Sequence, residues 1–316
     1  MDDTIESLAA ADAQTANTPR PSGISVRPAT PADGAEICDL LKHCFGRSGA
    51  AADGFPRLCT TNWLADNPTR GFVLTDGGSI VGYLGTLYSQ REINGKTGIV
   101  CNYSSYYVAP AYRGRGLAQT LVAASARDER ITYISHTPAP PTRRALESLG
   151  FAILDRGVLL LPLGLNAETL WQSRVDIDVN DRTVRASLGQ AERRIYDDHA
   201  SHDCLQMTAR DAGGTAYLVV KRRLVKRRVR RLAWTAKVPF SQIMYCSAPD
   251  VLARNLERIK LAIMWQQKTF GIAMNERFLP NAPRAIRQEA IAQYRSPVFT
   301  PNELDLLYSE FVLLDI

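Results

Sequence analysis

The chain has 316 residues, 45% of them hydrophobic and 22% charged, with a net charge of +6. These proportions belong to a globular protein and exclude a disordered or fibrous one, and no apolar run approaches the roughly 18 residues that a spanning helix needs. The length suggests two domains, each able to bury a core of its own. In chain order, residues 1–23 are acidic and rich in small side chains, without the basic and apolar regions of a targeting signal, and are expected to form a disordered tail. A strand at Ile24–Arg27 precedes Thr30-Pro31-Ala32-Asp33, where proline at the first position opens a helix that runs through Ile37, Leu40, Leu41 and Phe45. A second helix is expected from Pro56 to Ala65, then a strand at Gly71–Leu74, a turn at Asp76-Gly77-Gly78 and a long strand from Ile80 to Glu92. Asn94-Gly95 is a hairpin signal leading into a strand that ends at Val108. A helix over 117–128, a strand over 131–137, a helix over 141–149 closed by Gly150, and one or two strands within 151–162 complete the first half.

The second half repeats this order: a helix over about 183–198, a strand over 204–211, a hairpin of 215–225 with 230–246, a helix from Pro249-Asp250 to about Lys268, and a strand over 270–278. The pattern predicts a mixed α/β fold of two related modules, residues 24–163 and 164–316, with faint residue identity between them. Where the first half has its glycine-rich turn, the second has YCSAPDVLARN (245–255), with no arginine–glycine cluster.

The six cysteines (Cys38, Cys44, Cys59, Cys101, Cys204 and Cys246) form no C-x-x-C pair, and the pattern fits reduced thiols in a cytoplasmic protein. His199, His202 and Cys204 are too few for a structural metal site, and no metal is expected. The positive charge is local. Lys221 to Arg231 carries 8 basic residues, so the remainder sums to −2 (+6 less 8). On a hairpin this run would grip a polyanion, neutralise an anionic acceptor, or guard a strand edge from aggregation. Only Trp234 lies nearby as an aromatic, which disfavours nucleic acid.

The chemistry concentrates in VAPAYRGRGLAQTLV, Val108 to Val122. A strand ends at Val108, Pro110 breaks the ladder, and Leu117, Leu121, Val122 and Ser125 recur at helical spacing. Between them, Arg113-Gly114-Arg115-Gly116-Leu117-Ala118 places small residues ahead of a helix N-terminus. Such a turn points successive N–H groups into one concavity suited to phosphate oxygens, with Arg113 and Arg115 as charge-assisted donors.

The spacing V-x-P-x-x-R-x-x-G-x-A, spelled by Val108, Pro110, Arg113, Gly116 and Ala118, resembles the acyl-CoA-binding motif of the GNAT superfamily of acyltransferases. The resemblance covers about residues 24–162 and includes Leu149-Gly150-Phe151 at the end of the last helix. It implies a cofactor-binding set of Val108, Arg113, Gly114, Arg115, Gly116, Leu117 and Ala118 that holds the pyrophosphate of acetyl-CoA; Thr137, in the Thr-Pro turn after the adjoining strand, is a further expected contact to the pantetheine. It also implies direct transfer of the acyl group to an amine or hydroxyl, where the strand ending at Val108 parts from the next strand. Tandem members with a degraded second copy exist in that superfamily, which matches the second half.

Two stations depart from the family pattern. Where many relatives carry a glutamate base this chain has Asn102, and where a tyrosine acid is common it has Leu146. The base is then a water held by Asn102 and Ser104, or His136 at the end of the adjoining strand; a satisfied loop histidine is the bland alternative for His136. Residues 102, 104, 106 and 108 share a strand face if no bulge intervenes. The polar stretch Tyr103, Ser104, Ser105 and Tyr106 suits a polar acceptor such as an amino sugar, a polysaccharide precursor or an amino acid. The expected function is acetyl transfer from acetyl-CoA to such an acceptor, with no membrane partner and a homodimer left open. The alternatives are a non-catalytic acyl-CoA-binding or assembly protein, or a polyanion-binding protein acting through residues 221–231.

Overall fold

The computed structural model describes residues 23–45, 50–61, 63–64, 66, 69–164, 166–228, 235–280 and 282–314. The expected N-terminal tail and the tip of the basic hairpin fall outside these residues. The chain divides into two compact units: residues 1–154 with 291–303 and 308–314, and residues 155–290 with 304–307 and 315–316. This division differs from a boundary at 163/164, because the C-terminal segments return to the first unit.

The first unit contains β1 (Ile24–Pro28), α1 (Gly34–Phe45), α2 (Ala50–Thr60), β2 (Gly71–Asp76), β3 (Ser79–Ile93), β4 (Lys96–Val108), α3 (Leu117–Ser125), β5 (Thr132–Ser135) and α4 (Pro140–Ser148). β1 to β4 form an antiparallel meander, and β4 pairs with β5 in parallel. A sixth strand comes from the far end of the chain, with Gln293, Tyr294 and Arg295 pairing antiparallel to Ser135, Ile134 and Tyr133. One sheet face packs on α3 and α4 through Leu74, Leu84, Cys101, Val108, Leu121, Val122 and Leu146. Within that core Tyr103, Tyr133 and Phe151 cluster with ring centroids 5.7 to 6.4 Å apart. The Arg295 guanidinium stands over Tyr133 and Phe151.

Ser125 Oγ hydrogen-bonds with the Tyr103 hydroxyl at 2.9 Å in this apolar setting. Removing one partner strands the other, so Ser125→Ala is expected to cost about 1–2 kcal/mol in urea unfolding, and distinctly less in a Tyr103→Phe background.

The second unit contains β6 (Ala152–Pro162, from Asp155 on), α5 (Ala167–Gln172), β7 (Asp176–Asp178), α6 (Asp181–Ser187), α7 (Gln190–His199), β8 (Cys204–Asp211), β9 (Gly214–Arg228), β10 (Thr235–Cys246), α8 (Pro249–Arg254), α9 (Leu256–Gln267) and β11 (Gly271–Asn275). Two expected helices are each split in the structure. The 183–198 helix breaks at Leu188-Gly189, where the backbone turns extended, and the 249–268 helix breaks at Asn255. β7 to β10 form an antiparallel meander, β10 pairs with β11 in parallel, and β11 pairs antiparallel with β6. Leu161, Leu218, Val220, Ile243, Ile259, Ile263 and Ile272 fill the core under α8 and α9.

The two units therefore share one strand order, and in each the sixth strand comes from the sequence of the other half. The strand after α4 enters the second unit. β12 (Ile286–Arg295) ends in the first unit, where the short helix α10 (Glu310–Leu313) also lies. Both units also carry a bulge at the matching place, in β4 between the partners of Tyr83 and Gly85 and in β10 between Ile243 and Tyr245.

Candidate active site

The site begins with the turn that links β4 to α3. Pro110–Tyr112 forms a single 3-10 turn, after which Gly114 and Gly116 take left-handed conformations with φ of +71° and +72°. Only glycine adopts such angles without a steric cost. A Cβ at Gly114 would meet nothing within 4 Å, so its backbone is open on that side. Gly116 is the N-cap of α3, whose first N–H groups have no acceptor within the helix. The free main-chain donors of that turn and the positive end of the helix dipole lie together there, an arrangement suited to phosphate.

The motif residues divide their work. The side chains of Val108 and Leu117 are buried in the core, so only their main chain faces the turn; Ala118 packs partly against the same core. Arg113 Nε donates to Val108 O at 2.9 Å and its guanidinium stacks over Tyr107, which fixes the turn across its base. Arg115 lies over the Tyr112 ring, and Tyr112 donates to Asp76 Oδ2 at 2.8 Å. Arg113 braces the turn, and the main chain of residues 114–118 supplies its donors.

β4 and β5 pair from Val100/Thr132 to Tyr103/Ser135 and no further, so the strands part just beyond that point. The same place holds the β4 bulge. Tyr83 pairs with Tyr107 and Gly85 with Ser104, which leaves one extra residue on β4, and Ser105 takes φ +49° to accommodate it. The bulge corrects the expected common face of residues 102, 104, 106 and 108. Asn102, Ser104 and Tyr107 share one face, whereas Tyr106 and Val108 join Cys101 and Tyr103 on the α3 side.

The C-terminal segment closes this gap, and nothing in the sequence reading pointed to it. Asn102 Nδ2 donates to Tyr308 O at 3.1 Å. Tyr308 itself has φ +57°, packs edge-on against Trp63 and lies under the Arg91 guanidinium. The next residues form α10, where Glu310 is buried and accepts a hydrogen bond from Thr137 Oγ1 at 3.3 Å. Phe311 meets the edge of the buried His136 ring. Burial pushes the Glu310 carboxyl up to about 7, against opposing effects from its own backbone and from Thr137. Among the described residues, Glu310 Oε2 and Asn102 Oδ1 are buried side-chain atoms without a hydrogen-bond partner.

Of the expected catalytic residues, Asn102 anchors the C-terminal segment, Ser104 is buried beside it on β4, and His136 packs against α10. Thr137, expected as a pantetheine contact, bonds Glu310 in this structure. No group of metal-ligating side chains occurs among the described residues. The signal for Glu310 was weak: it is one of three acids, with Asp305 and Asp315, in the apolar ending LDLLYSEFVLLDI, residues 304–316. In the second unit, by contrast, no described residue from 245 to 255 takes a positive φ, and α8 spans only 6 residues, so the phosphate-shaped turn is missing there.

Comparison with known proteins agrees with this geometry. The model of the acetyltransferase (GNAT) family matches residues 35–151. A GCN5-related N-acetyltransferase from Kribbella flavida superposes with a TM-score of 0.52 at 15% identity, over 85% of this chain and 70% of that one. One from Anabaena variabilis gives 0.51 at 12% identity, over 86% and 72%. A putative acetyltransferase from Pyrococcus horikoshii gives 0.50 at 11% identity, over 93% and 96%. No curated protein matches the chain. At these identities the structural likenesses establish the fold alone. The family match over the strand–turn–helix unit identifies residues 35–151 as an acetyltransferase domain of the GNAT family.

Proposed function

We propose that the protein is an N-acetyltransferase that takes acetyl-CoA at the Gly114–Ala118 turn and passes its acyl group to a polar amine, with Glu310 as general base. The observation that carries this reading is the buried Glu310 carboxyl bonded to Thr137, just past the end of β5, where the two central strands part; its burial favours a raised pKa. Two left-handed glycines opening onto a helix N-terminus fit a diphosphate. Acetyl-CoA bound there would supply the thioester whose acyl group is transferred. Glu310, ionised, takes the proton of the attacking amine as the C–N bond forms; the thioester C–S bond then breaks and CoA leaves as a thiolate that takes a proton from water, while Thr137 orients the carboxylate through its hydroxyl. Main-chain N–H groups freed from the ladder by the bulge at Ser105 are suited to hold the charge that develops on the acyl oxygen. Asn102 keeps the C-terminal segment, and with it Glu310, against the strand gap.

The second unit serves in this reading as a copy of the same topology that has lost its phosphate-binding turn, and it contributes strands rather than a second site. The six cysteines are all free thiols, which fits a reducing, cytoplasmic setting.

The test is turnover. Mass spectrometry should find acetylated product when the chain, acetyl-CoA and a panel of amino sugars and amino acids are combined, with CoA release above that seen without acceptor. CoA binding without acceptor-dependent release across the panel would instead support a non-catalytic binding protein.

A further inference from the structure

The second unit displays a row of large apolar side chains. Trp171 and Trp265 are 82% and 81% exposed, Leu163 and Phe270 60% each, and Leu224 and Leu261 about 40%. These residues lie on α5, α9 and the strand ends beside them. Leu261 and Trp265 lie four apart on the outer face of α9, and the exposed Arg258 and Lys268 continue that stripe at either end. α5 runs beside α9, tied by Ser173 Oγ to Asn255 Oδ1 at 2.7 Å and by Lys260 Nζ to Gly164 O at 2.9 Å, which places Trp171 near the start of α9.

Past the end of α9 the row continues on the sheet. Leu163 N donates to Phe270 O and Phe270 N to Pro239 O, and Pro239 is the register partner of Leu224. Strand alternation places Leu163, Leu224 and Phe270 on the same face as Leu161, Leu218, Val220 and Ile272, the face that α9 covers. Arg222 and Lys237 are exposed on the same two strands and the same face, at the base of the basic run. Glu168 on α5 is the one exposed acid among the described residues of these stretches.

An apolar patch rimmed by cations marks an interaction surface. A second copy is a poor occupant, because a two-fold contact would set Arg222, Lys237, Arg258 and Lys268 against their own likeness. Single-stranded nucleic acid would use the aromatic rings and leave the three leucines unmatched. An anionic bilayer meets both features at once, with phosphates for the cations and a headgroup–acyl boundary for tryptophan, phenylalanine and leucine.

We propose that this face of the second unit docks on an anionic phospholipid surface. The expectation of no membrane partner rested on the lack of a spanning segment. Among the described residues no helix is long and apolar enough to cross a membrane, and peripheral docking needs none.

Vesicle sedimentation and tryptophan emission with the full chain test the proposal. The protein should sediment with phosphatidylglycerol-containing vesicles far more than with phosphatidylcholine alone, and its emission should shift to the blue. Trp265→Ala with Phe270→Ala should weaken that binding about tenfold, and Arg222→Glu with Lys237→Glu should remove the preference for phosphatidylglycerol. All four side chains are exposed, so the thermal midpoint should hold in both variants. Equal sedimentation with the two vesicle types, or none, would overturn the proposal. So would tight binding of a single-stranded oligonucleotide that anionic vesicles fail to displace, or a dimer that the Trp265/Phe270 variant splits while vesicles remain unbound.

Discussion

Glu310→Gln lowers acyl-transfer turnover by about 10²- to 10⁴-fold, the range expected for loss of a general base, and leaves CoA affinity unchanged. The amide keeps the shape of the side chain and its acceptor for Thr137, but it cannot take a proton. The wild-type pH profile carries the same signature. Because burial holds the carboxyl at about 7, turnover should rise as the pH passes through 7 and then level off. Thr137→Val should move the inflection upward, since the hydroxyl favours the ionised form. His136 lies close by, and Glu310→Gln separates the two, because a rise that survives in the variant would belong to the histidine.

Stability gives an independent check with the opposite sign. The carboxyl is raised from its ordinary 4.5 in the folded chain, so its contribution is intact below 4.5 and is lost as the pH climbs toward 7. Glu310→Gln removes that penalty. The variant should gain thermal stability relative to wild type at pH 8 and not at pH 4. A turnover within threefold of wild type would take the base role away from Glu310.

Gly116→Val should abolish measurable CoA binding. At φ +72° a β-branched side chain pays at least about 1–2 kcal/mol of backbone strain. The residue is the N-cap of α3, so relaxing that strain swings the first N–H groups of the helix away from the position they now share. Gly114→Ala, at φ +71° with open space around its Cβ, separates strain from steric block and should reduce affinity less. Arg113→Ala is expected to loosen the turn through the lost bond to Val108 O, so its effect should include a lower unfolding midpoint as well as weaker binding.

The turn was readable because everything that shapes it is local. Pro110 ends the ladder, Gly114 and Gly116 supply the left-handed angles, and the apolar spacing of 117–125 starts a helix. The hairpin at Asn94-Gly95 was readable for the same reason, and both glycine and asparagine there take positive φ. The β4 bulge was not, because Ser104-Ser105-Tyr106-Tyr107 carries no glycine and the register is dictated by β3, a partner distant in the chain. Glu310 was hidden by distance as well. Its contact with Thr137 spans 173 residues, and that of Asn102 with Tyr308 spans 206. A short apolar ending does not announce which half of the chain will bury it. The exchange of sixth strands was equally silent, since β6 and β12 have ordinary strand compositions and only tertiary pairing assigns each to a unit.

The absent family glutamate and tyrosine at Asn102 and Leu146 acquire a physical reading in this light. Asn102 fastens the segment that brings in a carboxylate from elsewhere, and Leu146 completes the apolar core under α4.

The most direct measurement is a calorimetric titration of acetyl-CoA into the full chain. Saturable binding of one equivalent is expected, lost in Gly116→Val and kept in Glu310→Gln. No heat at any concentration, or two equivalents bound with Gly116→Val unaffected, would contradict it.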